Sequence, residues 1–160
     1  MTYQPRVGDY GVVSTKGIVG FFIQLGTFSK ENHAFLYVGH DAIIEATPRK
    51  GVVISPVTKY SNIVWNRHET LTVEQRKAIV TESLKHLGDP YFFRSFIVIG
   101  FRIMGLKLPR WITGDLSKSK GVICSELVTK CYRAVGITIE GHKPEYFVTP
   151  SDLTYRLLYL

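Results

Sequence analysis

The run Gly121-Val122-Ile123-Cys124-Ser125-Glu126-Leu127-Val128, continuing from Thr129 to Gly136, constrains the fold more than any other stretch. Leu127, Val128, Cys131, Tyr132 and Val135 recur at helical spacing, and Gly136 is suited to end the helix. Cys124 falls one turn before Leu127, at the helix start and on its apolar side. Free N–H groups and the positive end of the helix dipole there favour a thiolate over a thiol. A cysteine so placed is either a small core residue or a nucleophile. The rest of the chain decides which.

A chain of 160 residues is expected to form one domain with its own core. Its 12% aromatic content and ordinary apolar share argue against disorder. The two cysteines, Cys124 and Cys131, sit on one expected helix. Their separation is about 10 Å along its axis, too far for a disulfide. A reducing compartment suits such a chain. The formal charge of +7 suggests an anionic partner, such as a cell-wall polymer or a lipid head group, with solubility as the plain alternative. Basic residues are scattered from Arg6 to Arg156 without a dense run, so no nucleic-acid partner is expected. Residues 1–5 lack the apolar core of a secretory signal. The expected location is therefore cytoplasmic by default, or outside the host after lysis if the chain is phage-encoded. The greasiest segment, 91–112, is broken by Arg94, Arg102, Lys107 and Arg110, and is too interrupted to span a membrane.

In chain order, residues 7–13 read as a turn entering a short strand, and 18–25 as a short buried helix between Gly17 and Gly26. After a polar loop, His33 opens the strand-like run Ala34-Phe35-Leu36-Tyr37-Val38. Gly39-His40-Asp41 marks a turn, and 42–46 the returning strand. A third strand is expected over 51–54, ending before Pro56, and a fourth over 63–67. Thr72 and Gln75 form a capping-box pattern for a helix reaching Leu87. Its buried face is expected to carry Ile79, Val80, Ser83, Leu84 and Leu87. Thr149-Pro150-Ser151-Asp152 resembles a last helix start leading to Leu160. Mixed helices and strands without a linker or repeat indicate a single α+β domain over 1–160.

A thiol nucleophile needs a base and a group to orient that base. Of the five histidines, His40, His86 and His142 read as solvated surface residues, and His68 ends an expected strand. His33 is best placed, opening a core strand directly after a polar loop. Glu45 lies inside the apolar run Ile43-Ile44-Glu45-Ala46, where a carboxylate is costly unless paired. Side chains alternate along strands, so His33 and Glu45 share a face only if the turn has an odd number of residues or the hairpin contains a bulge. The alternative is a buried cysteine, an edge histidine and an exposed glutamate.

Taken together, Gly8-Asp9, His33-Ala34, Ile44-Glu45-Ala46, Gly51-Val52-Val53, Gly88-Asp89-Pro90-Tyr91, Cys124-Ser125-Glu126-Leu127-Val128 and Thr149-Pro150-Ser151-Asp152 resemble the circularly permuted branch of NlpC-type papain-like hydrolases. The resemblance is to YiiX-like proteins, and more distantly to lecithin:retinol acyltransferases. It implies a permuted papain-like fold, with an antiparallel sheet packed on the cysteine helix. It further implies Cys124 as nucleophile, His33 as base, Glu45 at the third polar position and Tyr91 lining the oxyanion or substrate site. Ser125 and Glu126 match the motif but read as helix-start residues. No cofactor is expected, since neither cysteine–histidine spacing nor carboxylate clustering resembles a metal site.

Between Tyr91 and Gly121 the chain is longer than the pattern, with a hydrophobic basic insertion at about 92–118. Two readings stand for it: a helical lid packed on the domain, or contact through 92–111 with an anionic membrane surface. The first function expected is a cysteine hydrolase cleaving an amide in peptidoglycan stem peptides. A lipid acyl hydrolase or acyltransferase with the same residues is the second. A non-catalytic binding module on this fold is the third.

Overall fold

Period-two apolar patterning and turn residues give five strands among the described residues, and two apolar helical stripes cover one side of them. The computed structural model describes residues 3–16, 30–66, 70–91, 105, 121–139, 148–150 and 152–154. In chain order these form β1 (Tyr10–Val13), β2 (His33–Gly39), β3 (Ala42–Thr47), β4 (Gly51–Pro56), a 3₁₀ turn (Val57–Lys59), β5 (Val64–Trp65), α1 (Val73–Lys85) and α2 (Cys124–Arg133). The strands make one antiparallel sheet in the order β4-β3-β2-β1-β5. The expected α+β class is what the chain adopts.

Alternation along the strands gives the sheet two apolar faces. One face, with Val12, Ala34, Leu36, Ile44 and Ala46, packs against Ile79 of α1 and Leu127, Val128, Cys131 and Tyr132 of α2. The other carries Val13, Phe35 and Ile43. Because β4 and β5 occupy opposite edges, the segment joining them must cross the sheet. It does so over this second face, where Val57, Tyr60 and Ile63 pack.

Three expectations change in detail. β4 continues through Pro56, opposite Ala42. An edge strand tolerates a residue without an N–H. β5 contains only Val64 and Trp65, because the Asn66 side chain takes the Tyr10 N–H at 2.5 Å. Helix α1 has its capping box, with Gln75 N–H donating to Thr72 Oγ1 at 3.1 Å and Thr72 N–H to Gln75 Oε1 at 3.0 Å. Its buried stripe, however, is Arg76, Ile79 and Ser83, while Leu84 and Leu87 are each 42% exposed. Arg76 claims the interior position because its guanidinium donates to the buried Asp9 carboxylate at 2.8 Å and to the Val7 carbonyl at 3.1 Å. That contact rolls the helix and leaves both leucines at the rim.

At the chain's far end, Thr149 Oγ1 accepts from Asp152 N–H at 3.3 Å, and the Asp152 carboxylate accepts from Thr149 N–H at 2.9 Å, capping the helical residues 150 and 152–154. The expected helix over 18–25, the insertion at 92–118 apart from Gly105, and residues beyond 154 lie outside the described residues. Among the described residues, no helix is long and apolar enough to cross a membrane.

Candidate active site

Placement of the site begins with the β2–β3 hairpin. His40 and Asp41 form its two-residue turn, both with positive φ, as a type I′ hairpin requires. A two-residue turn alone would set Glu45 on the Leu36 side of the sheet. A register shift between Tyr37 and Gly39 corrects this, so that Leu36 faces Ile44 and Glu45 falls in line with Phe35. His33 and Glu45 therefore share the second face. The imidazole Nε2 donates to Glu45 Oε2 at 2.7 Å.

Glu45 is fully buried, and its charge is satisfied from several directions. Lys59 Nζ donates to Oε1 at 2.5 Å, and the Tyr60 hydroxyl to Oε2 at 2.6 Å. Burial alone would raise the carboxyl's pKa. Hydrogen bonds from His33, Lys59, Ser55 and Tyr60 outweigh it and hold the group well below the usual carboxylate range.

Cys124 is the first residue of α2, 1% exposed, with Ile123 at the N-cap. Isoleucine has no side-chain acceptor, so only half of a capping box forms: the Ile123 N–H points to Glu126 Oε2 at a long 3.5 Å. The Ser125 hydroxyl donates to the Val148 carbonyl at 2.5 Å and ties the helix start to the last segment. Ser125 and Glu126 thus act as helix-start residues.

Cys124 lies on the other side of the His33 ring, close enough to act on its titration. With Nε2 committed to Glu45, the remaining ring nitrogen, Nδ1, is left for the thiol. Burial opposes a charged imidazole. Its interactions with Cys124 and with Glu45 more than compensate and raise His33 to about 9. The ring thus links the cysteine helix to the carboxylate on the far face of the sheet.

Tyr91 reaches the same place through backbone pairing. Gly88 N–H donates to the Val52 carbonyl at 3.0 Å, and Val52 N–H to the Asp89 carbonyl at 2.9 Å, which lays this segment along the outer edge of β4. Val122 N–H then donates to the Pro90 carbonyl at 3.0 Å, and Tyr91 bridges Val122 two residues before Cys124. Gly51 permits this close approach: its φ is +69°, and a Cβ there would stand 2.2 Å from the Asp89 carbonyl oxygen. Burial, and then the charge of Cys124, raise the Tyr91 phenol well above its ordinary value, so its hydroxyl stays a donor.

The structure thus gathers Cys124, His33, Glu45 and Tyr91 at one end of the sheet. The other histidines divide. His40 is exposed in its turn. His86 differs from the expected solvated residue, being half-buried with Nδ1 2.8 Å from Asp89 Oδ2. His68 and His142 lie outside the described residues. Ser55, Lys59 and Tyr60 escaped the sequence reading. The signal available for them is indirect: a carboxylate inside an apolar strand demands donors, which the neighbouring strand β4 and the crossover after Pro56 supply.

An α+β domain with a five-stranded antiparallel sheet and a buried cysteine–histidine–glutamate cluster is the class these features define. No protein-family model matches the chain, and no curated protein does. Among solved structures, it is similar to the crystal structure of metalloprotein YiiX from Escherichia coli O157:H7, of DUF1105. The TM-score is 0.65 at 22% identity, over 96% of this chain and 83% of that one. The chain has a YiiX-like fold. Among the described residues, no group of three or more His, Cys, Asp and Glu side chains is arranged to hold a metal ion. Both oxygens of Glu45 already face donors, one of them an ammonium group, so this carboxylate does not fit a metal.

Proposed function

We propose that the chain is a thiol hydrolase of the permuted NlpC type, cleaving an amide bond through a thioester intermediate. The observation that carries this reading is the His33 imidazole, hydrogen-bonded at 2.7 Å to the buried Glu45 carboxylate on one side and facing Cys124 on the other. A nucleophile, a base and an orienting anion in series are what acyl transfer through a thiol requires.

In the proposed reaction the Cys124 thiolate attacks the substrate carbonyl carbon. A C–S bond forms, and the carbonyl π electrons move onto oxygen. In this reading the Tyr91 hydroxyl and the Cys124 backbone amide donate to the developing oxyanion. Collapse of the tetrahedral intermediate breaks the C–N bond, and the amine departs with the proton held by His33. Neutral His33 then takes a proton from water, whose oxygen attacks the thioester and releases the acid and the thiolate. Glu45 holds the ring orientation throughout and stabilises the imidazolium.

The substrate we propose is the peptide stem of peptidoglycan. This rests on the motif order running from Gly8 to Asp152 and on the net charge of +7, which favours approach to an anionic wall polymer. Incubation of the chain with muropeptides, followed by mass spectrometry, tests it. A new amine and carboxylate are expected with the wild type and neither with Cys124→Ala. Turnover of phospholipid acyl chains with muropeptides untouched would move the site to lipid chemistry. No covalent acyl adduct with either class would leave a binding module.

A further inference from the structure

The Glu45 carboxylate carries more donors than an orienting residue needs. His33 and Tyr60 both donate to Oε2, at 2.7 and 2.6 Å, and Lys59 occupies Oε1 at 2.5 Å. Tyr60 is fixed in turn: its ring stacks on Phe35 at 5.3 Å with planes 6° apart, and lies 5.5 Å from the His33 ring. Lys59 differs from the other members of the cluster because its side chain is 41% exposed. The cluster is therefore a row of titratable groups, thiol, imidazole, carboxylate and ammonium, that is buried at one end and wet at the other.

We propose that Lys59 and Tyr60 are positioning residues that act through Glu45: Tyr60 fixes the carboxylate so that His33 meets it in one orientation, and the Lys59 cation weakens the imidazolium's hold on its proton. The inference rests on the thiol-hydrolase reading above and deepens it. An imidazolium flanked by two anions is stabilised so strongly that it becomes a poor acid for the leaving amine. A cation on the far side of Glu45 offsets part of that field and brings the proton's affinity back toward the working range. Among the described residues, the titratable or charged groups that enter this balance are Cys124 from α2, Glu45 from β3, and Lys59 and Tyr60 from the crossover. Tyr91 faces Cys124 from the β4 edge, and Ser55 adds a neutral donor to Glu45.

The test is NMR titration of the His33 imidazole in the full chain. Lys59→Met is expected to raise its midpoint by about one pH unit, and Lys59→Arg to restore it. Tyr60→Phe keeps the ring stacked and removes only the donor, and is expected to broaden or split the Glu45-bonded imidazole signal while raising the midpoint less. A midpoint unchanged or lowered in Lys59→Met overturns the proposal, because a merely structural lysine would release Glu45 and let the imidazole drift toward its free value. Cys124→Ser separates the two levels of inference. A fall in the His33 midpoint there, with no rise in Lys59→Met, sinks the role of Lys59 while keeping the thiol–imidazole pair. No fall in Cys124→Ser sinks the pair itself.

Discussion

Among the described residues two carboxylates are completely buried, and only one of them pairs with an imidazole. Asp9 lies just before β1, with Oδ1 2.8 Å from the Arg76 guanidinium and Oδ2 accepting from Tyr3 at 2.6 Å and from the Arg6 N–H at 2.8 Å. Glu45 has an equally complete set of donors, but one is an imidazole that also touches a thiol. A guanidinium never gives up its proton at working pH, so the Asp9 cluster is a fixed clamp between the chain start and α1. An imidazole can, so the Glu45 cluster can move a proton. Burial of a charge does not mark a site; a titratable partner beside a nucleophile does.

The largest effect should come from breaking the fixed clamp. Arg76→Met leaves Asp9 buried without its cation, and is expected to cost about 3–5 kcal/mol in urea unfolding. The folded fraction should still alkylate at Cys124 as the wild type does. Loss of thiol reactivity without loss of stability would erase the distinction between the clusters.

Gly51→Ala tests whether the β4 edge positions Tyr91. The added Cβ meets the Asp89 carbonyl, in a backbone conformation that disfavours any side chain. A loss of roughly 1–3 kcal/mol is expected, with a changed Tyr91 environment by NMR. Unchanged stability would mean the 88–91 segment is free to move away.

The pH dependence of stability sharpens the contrast further. His33 is raised from 6.5 to about 9 in the folded chain, so its contribution is complete below pH 6.5 and is lost as pH rises through 9. Glu45 is lowered, so its contribution is present above about pH 4.5 and is lost as pH falls below the ordinary carboxylate range. Thermal melts of the wild type should therefore lose roughly 1–2 kcal/mol between pH 6.5 and 9 relative to His33→Ala, since His33 titrates coupled to its neighbours. Parallel curves for the two proteins would contradict the pairing. The smallest effect belongs to the exposed α1 cap, whose side chain meets neither carboxylate: Thr72→Ala should cost about 1 kcal/mol and leave Cys124 reactivity untouched.

The residues most legible in the sequence were those at odds with their surroundings. Cys124 stood at a helix start, His33 at the mouth of a core strand, and Glu45 inside an apolar run. The hairpin turn and the Thr72–Gln75 box were legible because each depends on a local pattern. What escaped depends on long-range geometry. The bulge at Val38 has no marker of its own, yet it decides which face Glu45 occupies. Lys59 and Tyr60 look like an ordinary loop, and meet Glu45 only because the crossover must span the sheet from one edge to the other. The stripe of α1 departs from its apolar pattern at Leu84 and Leu87, because a buried arginine held by Asp9 outweighs the pull of two leucines.

The most direct measurement is the pH dependence of Cys124 alkylation by iodoacetamide, in wild type and His33→Ala, both carrying Cys131→Ala. Rapid reaction at pH 6, well below the value of about 8.5 at which a free thiol ionises, and a drop of about tenfold or more without His33, is the result expected of an activated pair. A slow thiol indifferent to His33 would contradict it, and the cluster at the end of the sheet would then be packing alone.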